Sequence, residues 1–139
     1  QPNLSVKGLS FAPFICYEIA YAQLVRRSVQ QANVLLVLSD DSWFGRSSAG
    51  AQQLQMAQAR ALETGRYVLS ATNNGKTAVI NAQGHIVAQL PSYWAGALSA
   101  WVQPMQGNTP WLILGLWPIL LWSMICLVCY SVSILKRVW

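Results

Sequence analysis

The chain has 139 residues, 54% of them apolar and only 9% charged, against about 25% charged in an ordinary soluble domain. That length holds one small domain and a tail, not two full domains. Nine basic and four acidic residues give a formal charge of +5, yet the only adjacent basic pairs are Arg26-Arg27 and Lys136-Arg137, which excludes the concentrated basic stripe of a nucleic-acid binder.

The opening QPNLSVKG starts on Gln1 and has no signal-like or amphipathic character, so a preceding N-terminal part of a longer protein is expected. Phe11 to Tyr17 is an apolar run of strand length. Ile19 to Gln31 places Ile19, Ala22, Leu24, Val25 and Val29 near helical spacing, with Arg26, Arg27 and Gln30 opposite. Asn33 to Ser39 is a continuous Val/Leu run, the pattern of a strand buried on both faces. A polar, Gly-containing loop follows from Asp40 to Gly50. Ala51 to Glu63 reads as a helix with Leu54, Ala57, Ala61 and Leu62 on one face, and Gly65 is a fitting stop.

Tyr67 to Thr72 is a strand again, closed by the turn signal Asn73-Asn74-Gly75. Lys76 to Asn81 and His85 to Leu90 flank Ala82-Gln83-Gly84 as a hairpin. Ala97 to Val102 reads as a last strand before a Pro/Gly/Asn linker. Trp111 to Leu135 then runs about 25 positions without a charge, long enough to cross a hydrocarbon core of roughly 30 Å with some tilt. Trp111, Trp117 and Trp139 suit an interfacial belt, Pro118 is expected to kink or offset the first turns, and Lys136-Arg137 mark the cytoplasmic end. The order is β-α-β-α-β-β-β plus a membrane span, an α/β class whose first three strands are parallel. Two crossover helices cover too little of such a sheet, so a further layer is expected.

In open α/β sheets ligands sit at the carboxyl ends of the strands, and three segments meet there: Cys16-Tyr17-Glu18, Asp40 to Gly45, and Thr72 to Gly75. A thiol at a strand-to-helix turn faces a helix N-terminus, which favours the thiolate, although a lone Cys is also compatible with inert core. Glu18 fits either a base or a cap. Trp43 and Phe44 fit an acyl-chain contact, a bilayer anchor or a plain hydrophobic lid. His85 lies in the hairpin, away from the strand ends, and lends no support to a Cys-His pair. Cys126 and Cys129 spell C-x-x-C, but in an apolar tail with no further ligands for zinc.

The stretches ICYE (Ile15 to Glu18), SDDSWFG (Ser39 to Gly45), QMAQARALETGR (Gln55 to Arg66) and ATNNG (Ala71 to Gly75) resemble the C-terminal half of the nitrilase-superfamily domain. Within that superfamily they are most similar to the bacterial apolipoprotein N-acyltransferase family, from about Phe11 to the end of the chain. The resemblance implies the C-terminal half of a four-layer αββα sandwich. Residues 1–103 would be a partial carbon-nitrogen hydrolase (nitrilase-like) domain, 104–110 a linker, 111–135 a transmembrane helix and 136–139 a cytoplasmic tail.

It also implies a Glu-Lys-Cys catalytic set. Cys16 matches the nucleophile, whereas the family's Glu and Lys lie many tens of residues upstream and Lys7 sits in no matching motif. Glu18 and Tyr17 match residues beside the nucleophile, where the carboxylate supports the site. Trp43 and Phe44 match a mobile aromatic loop that meets lipid. Asp40 stands where the family usually has Asn, replacing an amide donor by a carboxylate.

The implied chemistry moves an acyl group from a phospholipid donor through a Cys16 thioester to the amino group of diacylglyceryl-cysteine on an apolipoprotein, with no metal or organic cofactor. It implies a bacterial inner-membrane protein, multi-pass in full length, with residues 1–110 periplasmic. The missing N-terminal half would be an obligate partner, and this chain alone would be nearly inactive. A membrane-tethered amidase and a non-catalytic remnant are the alternatives.

Overall fold

The structure is a computed structural model describing the backbone of residues 2–138 and side chains as far as Ile134. It contains one six-stranded mixed sheet in sequential order: β1 (Leu4–Val6), β2 (Leu9–Ile15), β3 (Val34–Ser39), β4 (Tyr67–Thr72), β5 (Ala78–Ile80) and β6 (Ile86–Gln89). β2, β3 and β4 are parallel to one another, while β1 and the β5–β6 hairpin flank them antiparallel. The expected parallel trio is therefore present.

Strand alternation sorts the side chains into two faces. One face carries two cross-strand rows set by register, Ala12–Leu35–Val68–Ile80 and Phe14–Val37–Ser70–Ala78. All eight residues are buried beneath the helices. The opposite face carries Pro13–Leu36–Leu69 and Ile15–Leu38–Ala71, with Ile15 46% and Leu38 42% exposed. Parallel strands ordinarily have both faces covered. Here one helical layer covers one face, and the other keeps apolar side chains open to solvent.

The helices on the covered face are α1 (Ala22–Ser28) and α2 (Ala49–Thr64). The single helix expected over Ile19–Gln31 is divided. A 3-10 turn spans Cys16–Ala20, extended backbone at Tyr21 interrupts it, and a second 3-10 turn closes α1 at Val29–Gln31. Ile19, Val25 and Val29 are its buried residues and Leu24 is exposed. α2 buries Gln53, Leu54, Ala57, Ala61 and Thr64. Leu62, expected on that stripe, faces solvent instead, because Gln53 and Thr64 complete the i, i+4, i+8, i+11 spacing and leave Leu62 off it.

Ala97 to Val102 forms no strand. No sheet edge pairs with it, and Trp101 within it is 98% exposed. The segment after it is strapped to the sheet's lower edge. Asn33 and Met105 exchange two bonds of 3.3 Å, and Arg66 donates to the carbonyls of Ala32 at 2.9 Å and Gly107 at 2.6 Å. Thr109 donates to the Glu63 carbonyl. Asn33 and Arg66 immediately precede β3 and β4, so these ties lie at the opposite strand ends from Cys16.

The apolar tail is also divided, into α3 (Pro110–Leu114) and α4 (Trp117–Val138). The Arg26 guanidinium receives the end of α3: Nε donates to the Trp111 and Leu112 carbonyls at 3.1 Å each, and Nη2 to Ile113 at 2.9 Å. Gly115 then turns the chain with φ +57, a left-handed conformation open to glycine at little steric cost. The break therefore falls at Gly115, and Pro118 sits harmlessly in the first turn of α4. Trp117–Ile134 is 18 residues long, with mean hydropathy 1.8 and no part buried, sufficient by length and composition to cross a membrane. The side chains of Lys136 and Arg137, and Trp139 altogether, lie outside the described residues.

Candidate active site

β2, β3 and β4 run parallel and in register, with Ile15 opposite Leu38 and Ser39 opposite Thr72. Their carboxyl ends therefore deliver Cys16, Asp40-Asp41 and Asn73 to one edge. Cys16 is the first residue after β2, which ends at Ile15, two residues short of the strand expected through Tyr17. Its φ is +51, in the left-handed region that costs a residue bearing a Cβ roughly 1–2 kcal/mol. Such strain persists only where surrounding contacts enforce it.

Two side chains supply those contacts. Glu18 Oε2 accepts the backbone N–H of Ile15 at 2.7 Å, closing the turn around the thiol in the manner of a helix cap. From α2, Gln53 Nε2 donates to the Cys16 carbonyl at 3.3 Å. The thiol is partly exposed and free. The exposed Tyr17 ring, on the outside of the turn, stands edge-on to Tyr21 with ring centroids 5.9 Å apart.

The second loop is organised by two adjacent carboxylates with different surroundings. Asp40 is exposed, and its Oδ1 accepts from Ser42 N at 3.0 Å, Ser42 Oγ at 2.6 Å and Asn73 Nδ2 at 3.3 Å. The Ser42 hydroxyl, followed by the Ser42 amide, holds the Asp40 carboxyl below its usual value. The carboxylate thus ties the second loop to the third.

Asp41, which sequence reasoning passed over, is only 4% exposed. Ser39 Oγ donates to its Oδ1 at 2.6 Å. Its Oδ2 has no hydrogen-bond partner among the described residues and lies against Gly75. A Cβ on Gly75 would fall 1.9 Å from that oxygen, so this close approach requires glycine.

Trp43 and Phe44 occupy a short 3-10 turn, Ser42–Phe44. Trp43 is 86% exposed and Phe44 roughly half as much. The far end of the loop is held by Tyr93, whose hydroxyl donates to the Gly45 carbonyl, while the Arg46 guanidinium stands 5.8 Å from the Tyr93 ring centre. Between the thiol's turn and this loop lies a hollow of about 200 Å³, lined by Tyr17, Phe44, Ala49, Gln52, Gln53 and Met56. A second, also of about 200 Å³, opens beyond the loop over Asp41, Gly75, Lys76 and Tyr93.

The structure places Cys16, Tyr17 and Glu18 on one turn and Asp40, Trp43 and Phe44 on the loop that follows β3, with Tyr17 and Phe44 lining one hollow. His85 is exposed in the β5–β6 hairpin, and Lys7 is exposed in the β1–β2 turn at the other end of β2. Asp41, Gln53 and Tyr93 are additions. Gln53 carried a signal that could have found it, since an amide interrupts the otherwise apolar stripe of α2.

A family model for carbon-nitrogen hydrolase matches residues 2–107. The chain is 46% identical over 132 residues to the apolipoprotein N-acyltransferase of Pseudomonas aeruginosa strain LESB58, covering 90% of this chain and 26% of that protein. It is 41% identical over 138 residues to the protein of that name from Photobacterium profundum, covering 99% of this chain and 27% of the other. The chain thus spans about a quarter of these relatives' length. Among solved structures, Saccharomyces cerevisiae Nit3, of the nitrilase superfamily, superposes with a TM-score of 0.57 at 21% identity, over 65% of this chain and 36% of that one. An amidase from Nesterenkonia sp. gives 0.52 at 23% identity, over 66% of this chain and 38% of its own. These last two likenesses concern the fold.

Proposed function

Since the chain belongs to the carbon-nitrogen hydrolase family, we propose that it is the thiol-bearing C-terminal part of a membrane N-acyltransferase that matures lipoproteins. The observation that carries this reading is a partly exposed thiol in a left-handed turn, beside a hollow walled by Tyr17, Phe44 and Met56. The same chain carries an apolar helix long enough to cross a membrane, and the likeness to the named acyltransferases extends across both parts.

In this reading the Cys16 thiolate attacks the ester carbonyl carbon of a phospholipid. A tetrahedral intermediate forms, the ester C–O bond breaks, and lysophospholipid leaves with a proton on its oxygen. The acyl chain remains as a thioester, its tail against Phe44 and Met56 and under Trp43. The α-amino group of a diacylglyceryl-cysteine then attacks the thioester carbon. The C–S bond breaks, the thiolate is restored, and the nitrogen gives up a proton to become an amide.

The base that moves these protons, and the cation beside the oxyanion, are a Glu and a Lys in the portion of the protein preceding this chain. That portion would cover the open sheet face around Ile15 and Leu38. Glu18 and Gln53 hold the thiol's turn, and Asp40 holds the facing loop. α4 crosses the bacterial inner membrane, with residues 1–110 on the periplasmic side and the C-terminus cytoplasmic.

Mass spectrometry of the full-length protein incubated with phospholipid tests the reading. The expected result is a fatty-acyl adduct on Cys16, discharged when a diacylglyceryl-cysteine peptide is added. An enzyme that acylates the peptide while Cys16 remains unmodified throughout would overturn it.

A further inference from the structure

We propose that Gln53 is a positioning residue for the nucleophile, setting the direction of the peptide between Cys16 and Tyr17; this rests on the acyl-transfer reading of Cys16. Gln53 is buried on α2 and donates across the site to the Cys16 carbonyl at 3.3 Å. That peptide is planar and trans, so its C=O and N–H point in opposite directions. A donor that fixes the Cys16 carbonyl therefore fixes the Tyr17 N–H as well.

Two features make that direction matter. Cys16 has φ +51, so its turn is a strained one that relaxes unless held. Tyr17 is the second residue of the Cys16–Ala20 turn, where the first N–H groups of a helix lack intrahelical acceptors. With the carbonyl drawn toward Gln53, the Tyr17 N–H is directed away from it, and in this proposal it is the donor that meets the negative charge developing on the attacked carbonyl oxygen.

Gln53 Oε1 lies 3.5 Å from Ser39 Oγ, whose single proton goes to Asp41 at 2.6 Å. The amide is thus seated between the thiol's turn and the carboxyl end of β3. Gln53 also lines the hollow beside Phe44 and Met56, so its action on the turn is read from the acylation rate at saturating lipid, apart from any change in lipid affinity.

The test uses full-length enzyme, reading single-turnover acylation of Cys16 by mass spectrometry across phospholipid concentrations. Gln53→Leu should slow acylation at saturating lipid about tenfold or more. Gln53→Glu keeps the shape and donates only when protonated. Its rate relative to wild type should therefore rise as pH falls from about 8 to 5. Gln53→Leu acylating at the wild-type rate, or a Gln53→Glu ratio that does not vary with pH, would overturn the inference while leaving the Cys16 thioester intact. Absence of any adduct on wild-type Cys16 would remove both.

Discussion

Glu18 Oε2 accepts the backbone N–H of Ile15 at 2.7 Å, so this carboxylate grips the residue immediately before the thiol. Glu18→Gln retains an acceptor oxygen for that bond and Glu18→Ala does not. The Ala variant should lose about 1–2 kcal/mol of local turn stability, seen as faster hydrogen exchange over residues 15–20 and slower acylation of Cys16. The Gln variant should retain most of both. Equal loss in the two variants would assign the charge itself to the chemistry.

Gly75 faces a buried carboxylate. A Cβ there would lie 1.9 Å from Asp41 Oδ2, 2.7 Å from its Cγ and 2.9 Å from Thr72 Oγ1. Gly75→Ala should therefore destabilise the protein by about 1–3 kcal/mol, as overpacking does, measured as a lowered melting temperature. Asp41→Ala should relieve part of the clash, so the double mutant should be more stable than the sum of the single effects.

Arg26 serves three carbonyls at the end of α3 with one guanidinium. Lys presents a point charge and cannot reproduce that fork. Arg26→Lys and Arg26→Met should both raise hydrogen exchange over residues 110–115 and increase protease cleavage near Gly115. Protection retained in Arg26→Lys would show that charge alone holds α3.

The Asp40 carboxyl is held low by Ser42. A folded-state value depressed below the unfolded one adds stability above the unfolded value, about 3.9, and that stability is lost as pH falls through the folded value. The loop should accordingly remain set at neutral pH and loosen only in acid, followed by exchange over residues 40–45. Asp40→Asn keeps an acceptor for the Ser42 amide and should abolish that acid transition.

Trp43 and Phe44 meet lipid in the proposed reading. Trp43→Ala combined with Phe44→Ala should weaken lipid-dependent acylation of Cys16. Alkylation of the same thiol by iodoacetamide, a small soluble reagent, should continue at the wild-type rate. If acylation is unchanged, the two rings are structural.

Much of the fold was legible where burial and pairing coincide. β4 has the bounds its sequence suggested, because Tyr67 to Thr72 is apolar, β-rich and stopped by Asn73-Asn74-Gly75. Ala97 to Val102 has the same appearance and forms no strand, since apolar pattern reports a tendency to be covered and cannot supply a neighbouring edge. β1 was missed because three residues carry almost no periodicity, and its turn uses Lys7 at φ +49, which Lys rarely adopts. At the site, Cys16 and Glu18 were visible because thiol and carboxylate announce chemistry. Asp41 hid behind Asp40, its identical neighbour, and only burial separates the two.

In the proposed reading, the division at Gly115 sets how the thiol would meet lipid. Three residues, Leu114 to Leu116, join the last carbonyl held by Arg26 to the start of α4, a leash of about 10 Å at full stretch. With α4 in the bilayer, a domain on so short a leash searches a surface rather than a volume. Its lipid encounters become effectively intramolecular, at a local concentration far above any the bulk could provide. On that reading, acylation of Cys16 would be paced by lateral diffusion of lipids past the aromatic loop.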